Sequence, residues 1–489
     1  MNGSLLITLI AIPAGAAVAV LLIPRTEPEL IKRVCLLAAT AALAMSILAF
    51  VRYDHNAGGY QFHQEWKWIP NLGITLSLGV DGISTPLVLL TGIVMFTGVL
   101  VSWSIQDRSK EYFILFMVLV AGVYGTFVTT DLFFLFFFYE LAVLPMYLLI
   151  AVWGSTRKEY GALKLVMYLV AGSVLVWITL AAIFAKADIG SFNLVDLQNV
   201  HFAREFQRIF FPLLMIGFGV LAGLWPFHTW SPDGHVAAPT AVSMLHAGVL
   251  MKLGAYGILR VGMTLFPQGA DFWQIPFITL ATVNVVYGAF AAMAQRDLKY
   301  VIGYSSVAHM GLVLVGLATF DKTGMGGAVL QMVAHGIMTA LFFAVVGIIY
   351  ERAHTRDITV FQGLSKRMGA TAVLFTIAGL SSLGLPGLAG FVAEVQVLIG
   401  AFRVYPVVGV LGVIAAMLTA VYILRLIGSV FFGPLEQKWA DITDGSRREI
   451  FAGSLLACGL LFIGFWPMPF MNVINSGVST LASRLAGSG

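Results

Sequence analysis

Apolar runs of about 20 residues recur along the whole chain, and they limit its fold more than any other feature. Residues 133–150, FFLFFFYELAVLPMYLLI, are one such run, with a single carboxylate at Glu140 and a proline at Pro145. A helix rises about 1.5 Å per residue, so runs of this length match the roughly 30 Å hydrocarbon core of a bilayer. A transmembrane barrel would instead need segments of about ten residues with alternating polarity, and the chain shows none. Composition agrees: 59% of residues are hydrophobic and 11% charged, against about 25% charged in soluble domains. The chain is expected to be an all-α polytopic membrane protein.

Fourteen candidate spans follow, at about 4–23, 31–51, 80–102, 111–129, 131–153, 162–185, 208–230, 236–260, 273–294, 301–319, 324–350, 371–402, 405–431 and 448–472. The first is too long, and lacks the basic leader, to be a cleaved signal peptide. Lys and Arg number 16 in the loops and span ends after odd-numbered spans and 8 after even-numbered ones. The excess predicts that the first set is cytoplasmic, with both termini on the other side. Cys35 and Cys458 lie far apart in separate apolar runs, which points to neither a disulfide framework nor a metal site. No dinucleotide-binding or phosphate-cradling glycine motif is present, so any redox chemistry is expected to belong to a partner.

Two spans carry helix breakers at membrane depth. GLWPFHTWSPDGHVAAP (223–239) contains Pro226, Pro232 and Pro239; SSLGLPGLAGF (381–391) contains Pro386 among three glycines. Proline removes a backbone donor and clashes with the preceding turn. Carbonyls freed in lipid must find protein or water, so such breaks line cavities. Broken helices in corresponding positions are the mark of a transporter built from inverted repeats. The predicted organisation is a single membrane domain: 1–110 (helices 1–3), 111–260 (repeat one, helices 4–8), 273–431 (repeat two, helices 9–13) and 448–489 (helix 14 and tail).

The ionisable residues inside the spans are few: Glu140, Lys164, Lys252, His309, His335, Glu394 and Arg425, with His228, His235 and His246 near the first break. A charge at the bilayer centre costs at least about 2.5–3.5 kcal/mol, so its persistence points to function. Lys164 lies near a helix end, where snorkelling to the interface competes with function, and Arg425 reads as a snorkelling anchor. Gly248, one turn before Lys252, leaves room for water or a facing helix. Histidines titrate near neutral pH, which suits a proton relay. Glu394 follows the Pro386 break by two helical turns, beside an opened segment that water can reach. Together these groups form a chain running from Glu140 through Lys252, His309 and His335 to Glu394. It suits proton movement better than sugar or drug binding. Pro145 frees the carbonyl of Leu141, beside Glu140, as a place to flex or to hold water.

The stretches FFYELAVLPMYLLI, WPFHTWSPDGHVAAPTAVSMLHAGVLMKLGAYG, QRDLKYVIGYSSVAHMGLVL, AHGIMTALFFAVVGIIYERAHTRDI and LSSLGLPGLAGFVAE, with EWKWIPNLGITLSLGVDGISTPLVLL upstream, resemble the antiporter-like subunits of respiratory complex I. They are most similar to its M-type chains, the counterparts of mitochondrial subunit 4. The resemblance runs from about residue 62 to 435. It implies fourteen helices with two inverted five-helix repeats broken at helices 7 and 12, acting as one proton-pumping module. It also implies that Glu140 pairs with a helix-7 lysine, that Lys252 leads to the central histidines, and that the helix-12 residue is the outlet. M-type chains carry glutamate at that outlet, as here at Glu394, where L-type, N-type and antiporter chains usually carry lysine. One position departs from the pattern: Leu221 stands where the helix-7 lysine is expected. Lys252, Lys164 or the three histidines at the break remain as substitutes.

The resemblance implies a non-redox, proton-translocating subunit of an NADH:quinone oxidoreductase. No cofactor is expected in this chain, while NADH, flavin, iron–sulfur clusters and quinone are expected in partners. L-type and N-type chains would flank it in a bacterial plasma membrane or an organelle inner membrane, with no nucleic acid involved. The alternatives are a subunit of a multi-subunit sodium/proton antiporter, a ferredoxin- or hydrogenase-linked relative, or a degenerate pump kept for assembly.

Overall fold

The structure, a computed structural model, describes residues 4–486, so the last three residues of the predicted tail lie outside it. Helices α1 (Leu5–Leu22), α2 (Pro28–Arg52), α3 (Ser84–Val101), α4 (Ser109–Val128), α5 (Leu132–Trp153) and α6 (Lys158–Ala187) lead into the first broken span, α7 (Arg204–Ala222) with α8 (Trp230–Ala237). Then come α9 (Thr240–Met263), α10 (Gln274–Met293), α11 (Leu298–Ala318) and α12 (Lys322–Ala353). The second broken span is α13 (Gly369–Ser382) with α14 (Ala389–Val404), followed by α15 (Pro406–Phe431) and α16 (Arg447–Phe465). Thirteen helices among the described residues are long and apolar enough to cross a membrane. The α13–α14 pair, interrupted at 383–388, supplies the fourteenth expected crossing.

Burial sorts the helices into an inner and an outer set. The most apolar windows of α9 and α12 are 100% buried and that of α11 94%, whereas that of α2 is 28% buried. Leu37, Met167, Val407 and Met417 on the outer helices point away from the protein, as lipid-facing residues must. The inner helices approach closely because they carry glycine. A side-chain carbon on Gly248 of α9 would stand 3.1 Å from the Gly336 carbonyl oxygen of α12, and one on Gly336 would stand 2.6 Å from that of Gly248. The room foreseen beside Gly248 is thus filled by a facing helix.

Two features depart from the sequence expectations, and a third agrees with the continuous span expected at 131–153. The predicted fourteenth span, 448–472, ends at Phe465, and a separate helix α17 (Met468–Ala486) follows. Residues 61–80 form an antiparallel hairpin, β1 (Gln61–Ile69) with β2 (Ile74–Val80), turned at Gly73 with φ +65°. Of its first strand only Gln64 is buried, while Trp66 and Trp68 are exposed, and the segment lies outside the long apolar runs. Helix α5 continues unbroken through Pro145.

Candidate functional site

The first break resolves freed backbone groups within the protein. The Val236 carbonyl accepts from Arg356 at 3.0 Å, that of Ala237 from the Ser155 N–H at 2.8 Å, and that of Ala238 from Lys299 Nζ at 2.7 Å. The Trp225 N–H donates to Asn284 Oδ1 at 2.8 Å. Lys299, counted in sequence among the loop bases, is buried. At the second break Gly384 has φ +73°, and a side-chain carbon there would lie 2.9 Å from Glu394 Oε2. A glycine lets the carboxylate sit directly against the opened chain.

The inner helices bring four of the expected residues into one row. Lys252 is buried on α9, just after a π-helical stretch at His246–Leu250. Its ammonium donates to the Ala247 carbonyl and lies 2.8 Å from Nδ1 of His335 on α12. The ring centre of His335 is 5.4 Å from that of His309 on α11. His309 Nδ1 is 3.2 Å from Glu394 Oε1 on α14, and its Nε2 is 3.0 Å from Ser382 Oγ. The spatial order is Lys252–His335–His309–Glu394, which reverses the two histidines relative to the chain order. No carboxylate lies within ion-pair distance of Lys252 among the described residues.

The other expected residues stand apart from this row. Glu140, half-buried on α5, keeps Oε1 without a hydrogen-bond partner, with Ser173 of α6 its polar neighbour. Its side of α5 also carries the outward-facing Phe137, Leu144 and Leu148, at helical spacing. Lys164 pairs instead with Asp233 at 2.7 Å, and Tyr300 donates to the same carboxylate at 2.9 Å. Leu221 is fully buried. His235 and His246 have ring centres 4.3 Å apart, and neither they nor His228 have hydrogen-bond partners for either ring nitrogen. Arg425 is exposed. Among the described residues, no group of three His, Cys, Asp or Glu could hold a metal ion.

Sequence reasoning missed Asp233 and Tyr300 as the partners of Lys164, along with Gln331, whose amide nitrogen lies 3.3 Å from His309 Nδ1. It also missed a buried ion pair, Arg260 with Asp81 at 2.6 Å, because the predicted span ended at that arginine. Amides and hydroxyls carry no charge to mark them inside an apolar run. Asp233 lies in the WSPDG segment already read as a break, and only the direction of its side chain was missing.

A row of ionisable groups on tightly packed helices, flanked by two discontinuous helices, is the mark of a membrane protein of the ion-translocating class. The family described as NADH:quinone oxidoreductase/Mrp antiporter, TM, matches residues 129–419. NAD(P)H-quinone oxidoreductase chain 4 1 of a Nostoc species is 35% identical over 475 residues, covering 94% of this chain and 88% of the relative. NAD(P)H-quinone oxidoreductase chain 4 of Gloeobacter violaceus is 34% identical over 473 residues, covering 94% and 89%. This chain therefore belongs to the NADH:quinone oxidoreductase/Mrp antiporter transmembrane family. Its fold matches a chain of respiratory complex I from Thermus thermophilus with a TM-score of 0.91 at 24% identity, covering 98% of this chain and 99% of the other. A chain of the Mrp complex from a Dietzia species matches at 0.87 and 19% identity, covering 100% and 99%.

Proposed function

We propose that this chain is the M-type, non-redox, proton-translocating membrane subunit of an NADH:quinone oxidoreductase of the complex I type. One observation carries the reading: Lys252, His335, His309 and Glu394 form a buried row in which each neighbour can hand on a proton. The first contact is a hydrogen bond at 2.8 Å, and the last is an ion-pair distance of 3.2 Å between His309 Nδ1 and Glu394 Oε1. The 5.4 Å between the histidine ring centres is spanned by ring rotation or one bridging water. Glu394 at this position, rather than lysine, favours the M-type chain over an antiporter subunit. NADH, flavin, iron–sulfur clusters and quinone belong to other subunits.

In this reading Lys252 is the central carrier. Its ammonium is held by two dipoles, the Ala247 carbonyl and the His335 ring, and not by a carboxylate. A change in local field therefore shifts its proton easily toward His335. Glu140, at the outward face of α5, is the inlet-side switch. The lysine that the family places on helix 7 is absent here, so a neighbouring subunit seated on that face would supply the charge that moves it. L-type and N-type chains are the proposed neighbours and a bacterial plasma membrane the proposed site. Both termini lie on the non-cytoplasmic side, following the arginine and lysine bias. The segments 111–260 and 273–431 are the two inverted repeats, each broken in its fourth span.

The test uses Glu140→Gln and Glu394→Gln in membranes carrying the intact complex. Each variant is expected to assemble normally and to lower NADH-driven proton pumping by on the order of tenfold or more, as loss of a positioned proton-transfer group does. Full pumping by both would end the assignment. Co-purification in mild detergent reads the complex itself: NADH-binding and iron–sulfur subunits support this reading. Sodium-dependent proton exchange in vesicles without NADH supports the antiporter.

A further inference from the structure

We infer that Glu140, Tyr139 and Ser173 form a site for a sodium-sized monovalent cation, held between α5, α6 and α7 as a fixed counter-charge. The inference rests on the reading above, in which Glu140 is the inlet-side switch, and names what balances that carboxylate on its inner side. The ion is a resident of the site and not the transported species.

Three buried oxygens meet there without partners. Glu140 Oε1, Tyr139 Oη and Ser173 Oγ are each shielded from solvent, and none completes a hydrogen bond among the described residues. Tyr139 is fully buried on α5, and Ser173, 5% exposed on α6, faces both Tyr139 and Glu140. Buried polar atoms are nearly always satisfied, so three orphans in one place call for a water or an ion. An ionised carboxylate only accepts, and each hydroxyl can turn its proton aside to present a lone pair. One negative charge and two neutral oxygens are the kind of ligand set that a hard cation takes, and the single carboxylate matches a single positive charge. Such an ion does not need the His, Cys and carboxylate clusters that select a transition metal.

The chain supplies no cation of its own to this place. Glu140 has no Lys, Arg or His within ion-pair distance among the described residues. Lys164, earlier on α6, is already paired with Asp233 at 2.7 Å. The facing wall of α7 is apolar. Tyr139 meets Phe218 edge-on with ring centres 5.8 Å apart, and the fully buried Leu221 lies one turn further along the same face. Glycines hold α6 against that wall. A side-chain carbon on Gly172 would stand 2.7 Å from the Gly217 carbonyl oxygen, and one on Gly217 would stand 2.8 Å from that of Gly172. Ser173 follows Gly172, so its hydroxyl is carried into the same close approach, which favours a small ion over a large one. An ionised carboxylate at membrane depth needs a counter-charge to persist. With Leu221 on one side and Lys164 engaged elsewhere, a bound ion supplies it. The neighbouring subunit then acts on Glu140 from its outward edge, against a cation seated on the inner one.

The experiment uses the intact complex in membrane vesicles and reads NADH-driven proton pumping as sodium chloride replaces choline chloride at constant ionic strength. Pumping by the parent is expected to rise saturably with sodium. Ser173→Ala removes one oxygen and is expected to raise the sodium needed for half-maximal pumping by on the order of tenfold. Leu221→Lys brings an ammonium to the α7 wall and is expected to pump in choline as well as the parent does in sodium. A merely structural Ser173 would give neither the shift nor this rescue. If Leu221→Lys does not assemble, Ser173→Ala and Tyr139→Phe, which keeps the ring and removes the hydroxyl, decide the matter by their sodium requirement. Equal pumping by the parent in sodium and in choline overturns the site. So does a sodium requirement that Ser173→Ala and Tyr139→Phe leave unchanged, since another subunit would then hold the ion. Radiolabelled sodium crossing the membrane in step with NADH oxidation also overturns it, because the ion would be a substrate. Full pumping by Glu140→Gln at every sodium concentration instead removes the reading on which the site rests.

Discussion

Lys252→Met is expected to leave the complex assembled, and at least as resistant to heat as the parent, while proton pumping falls to background. The two effects have separate causes. Lys252 is fully buried, and its ammonium is met by one carbonyl and one imidazole, with no carboxylate. Replacing a buried charge by an apolar side chain of similar length removes a desolvation cost, which is often neutral or stabilising by roughly 1–4 kcal/mol. On the proposed function, the same change also removes the proton carrier and leaves His335 Nδ1 without its partner. Losing a positioned proton-transfer group costs on the order of 10²–10⁴ in rate. Thermal unfolding of the detergent-purified complex, beside pumping in vesicles, reads both effects. Retained pumping would show that protons bypass α9. A large loss of stability would show that Lys252 is held by more than these two contacts.

Asp81→Asn is expected to do the opposite: to weaken the fold while leaving the row chemically complete. Asp81 precedes α3 and meets Arg260, near the end of α9, at 2.6 Å, with the two side chains 8% and 6% exposed. The Ile83 and Ser84 N–H groups donate to the same oxygen at 3.0 Å each, and the guanidinium also lies near the rings of Tyr60 and Tyr256. Removing one partner of a buried pair strands the other charge and costs about 3–5 kcal/mol. The double variant Asp81→Asn, Arg260→Met should recover much of that loss, since neither charge then remains. The pair also fixes a pH dependence. Burial alone would raise the Asp81 carboxyl, but Arg260 and the backbone donors outweigh it and hold it below the usual carboxylate range. A depressed folded value means the contribution is complete above the unfolded value of about 3.9 and is lost as pH falls through the folded one. The parent should therefore lose stability below about pH 4 more steeply than Asp81→Asn. Equal acid sensitivity of parent and variant would remove Asp81 from the account.

The legible part of the site was the part written in charge. Lys252, His309, His335 and Glu394 were visible as ionisable residues in apolar runs, because such residues are too costly at that depth to persist by accident. Partnership was not visible. Lys164 turned to Asp233 rather than to Glu140, since that choice depends on how the segment after α7 folds back and not on spacing along α6. The order of the histidines also depended on packing: the contact of Gly248 with Gly336 sets α12 against α9 and puts His335, not His309, beside Lys252. Ser173 and Ser382 were silent in sequence, because a hydroxyl inside a membrane helix usually bonds to its own backbone.

By itself, the sequence determined that the chain spans a membrane many times as helices, where it breaks, and which side chains are too expensive to be there without a purpose. Those properties follow from local chemistry: the length of apolar runs, the missing N–H of proline, the cost of an isolated charge. Which groups meet is a matter of ångströms between helices distant along the chain, and only tertiary packing decides it. Proton transfer depends steeply on those ångströms. The structure alone therefore separates the row from Lys252 to Glu394 from Glu140, which stands apart at the outer face of α5.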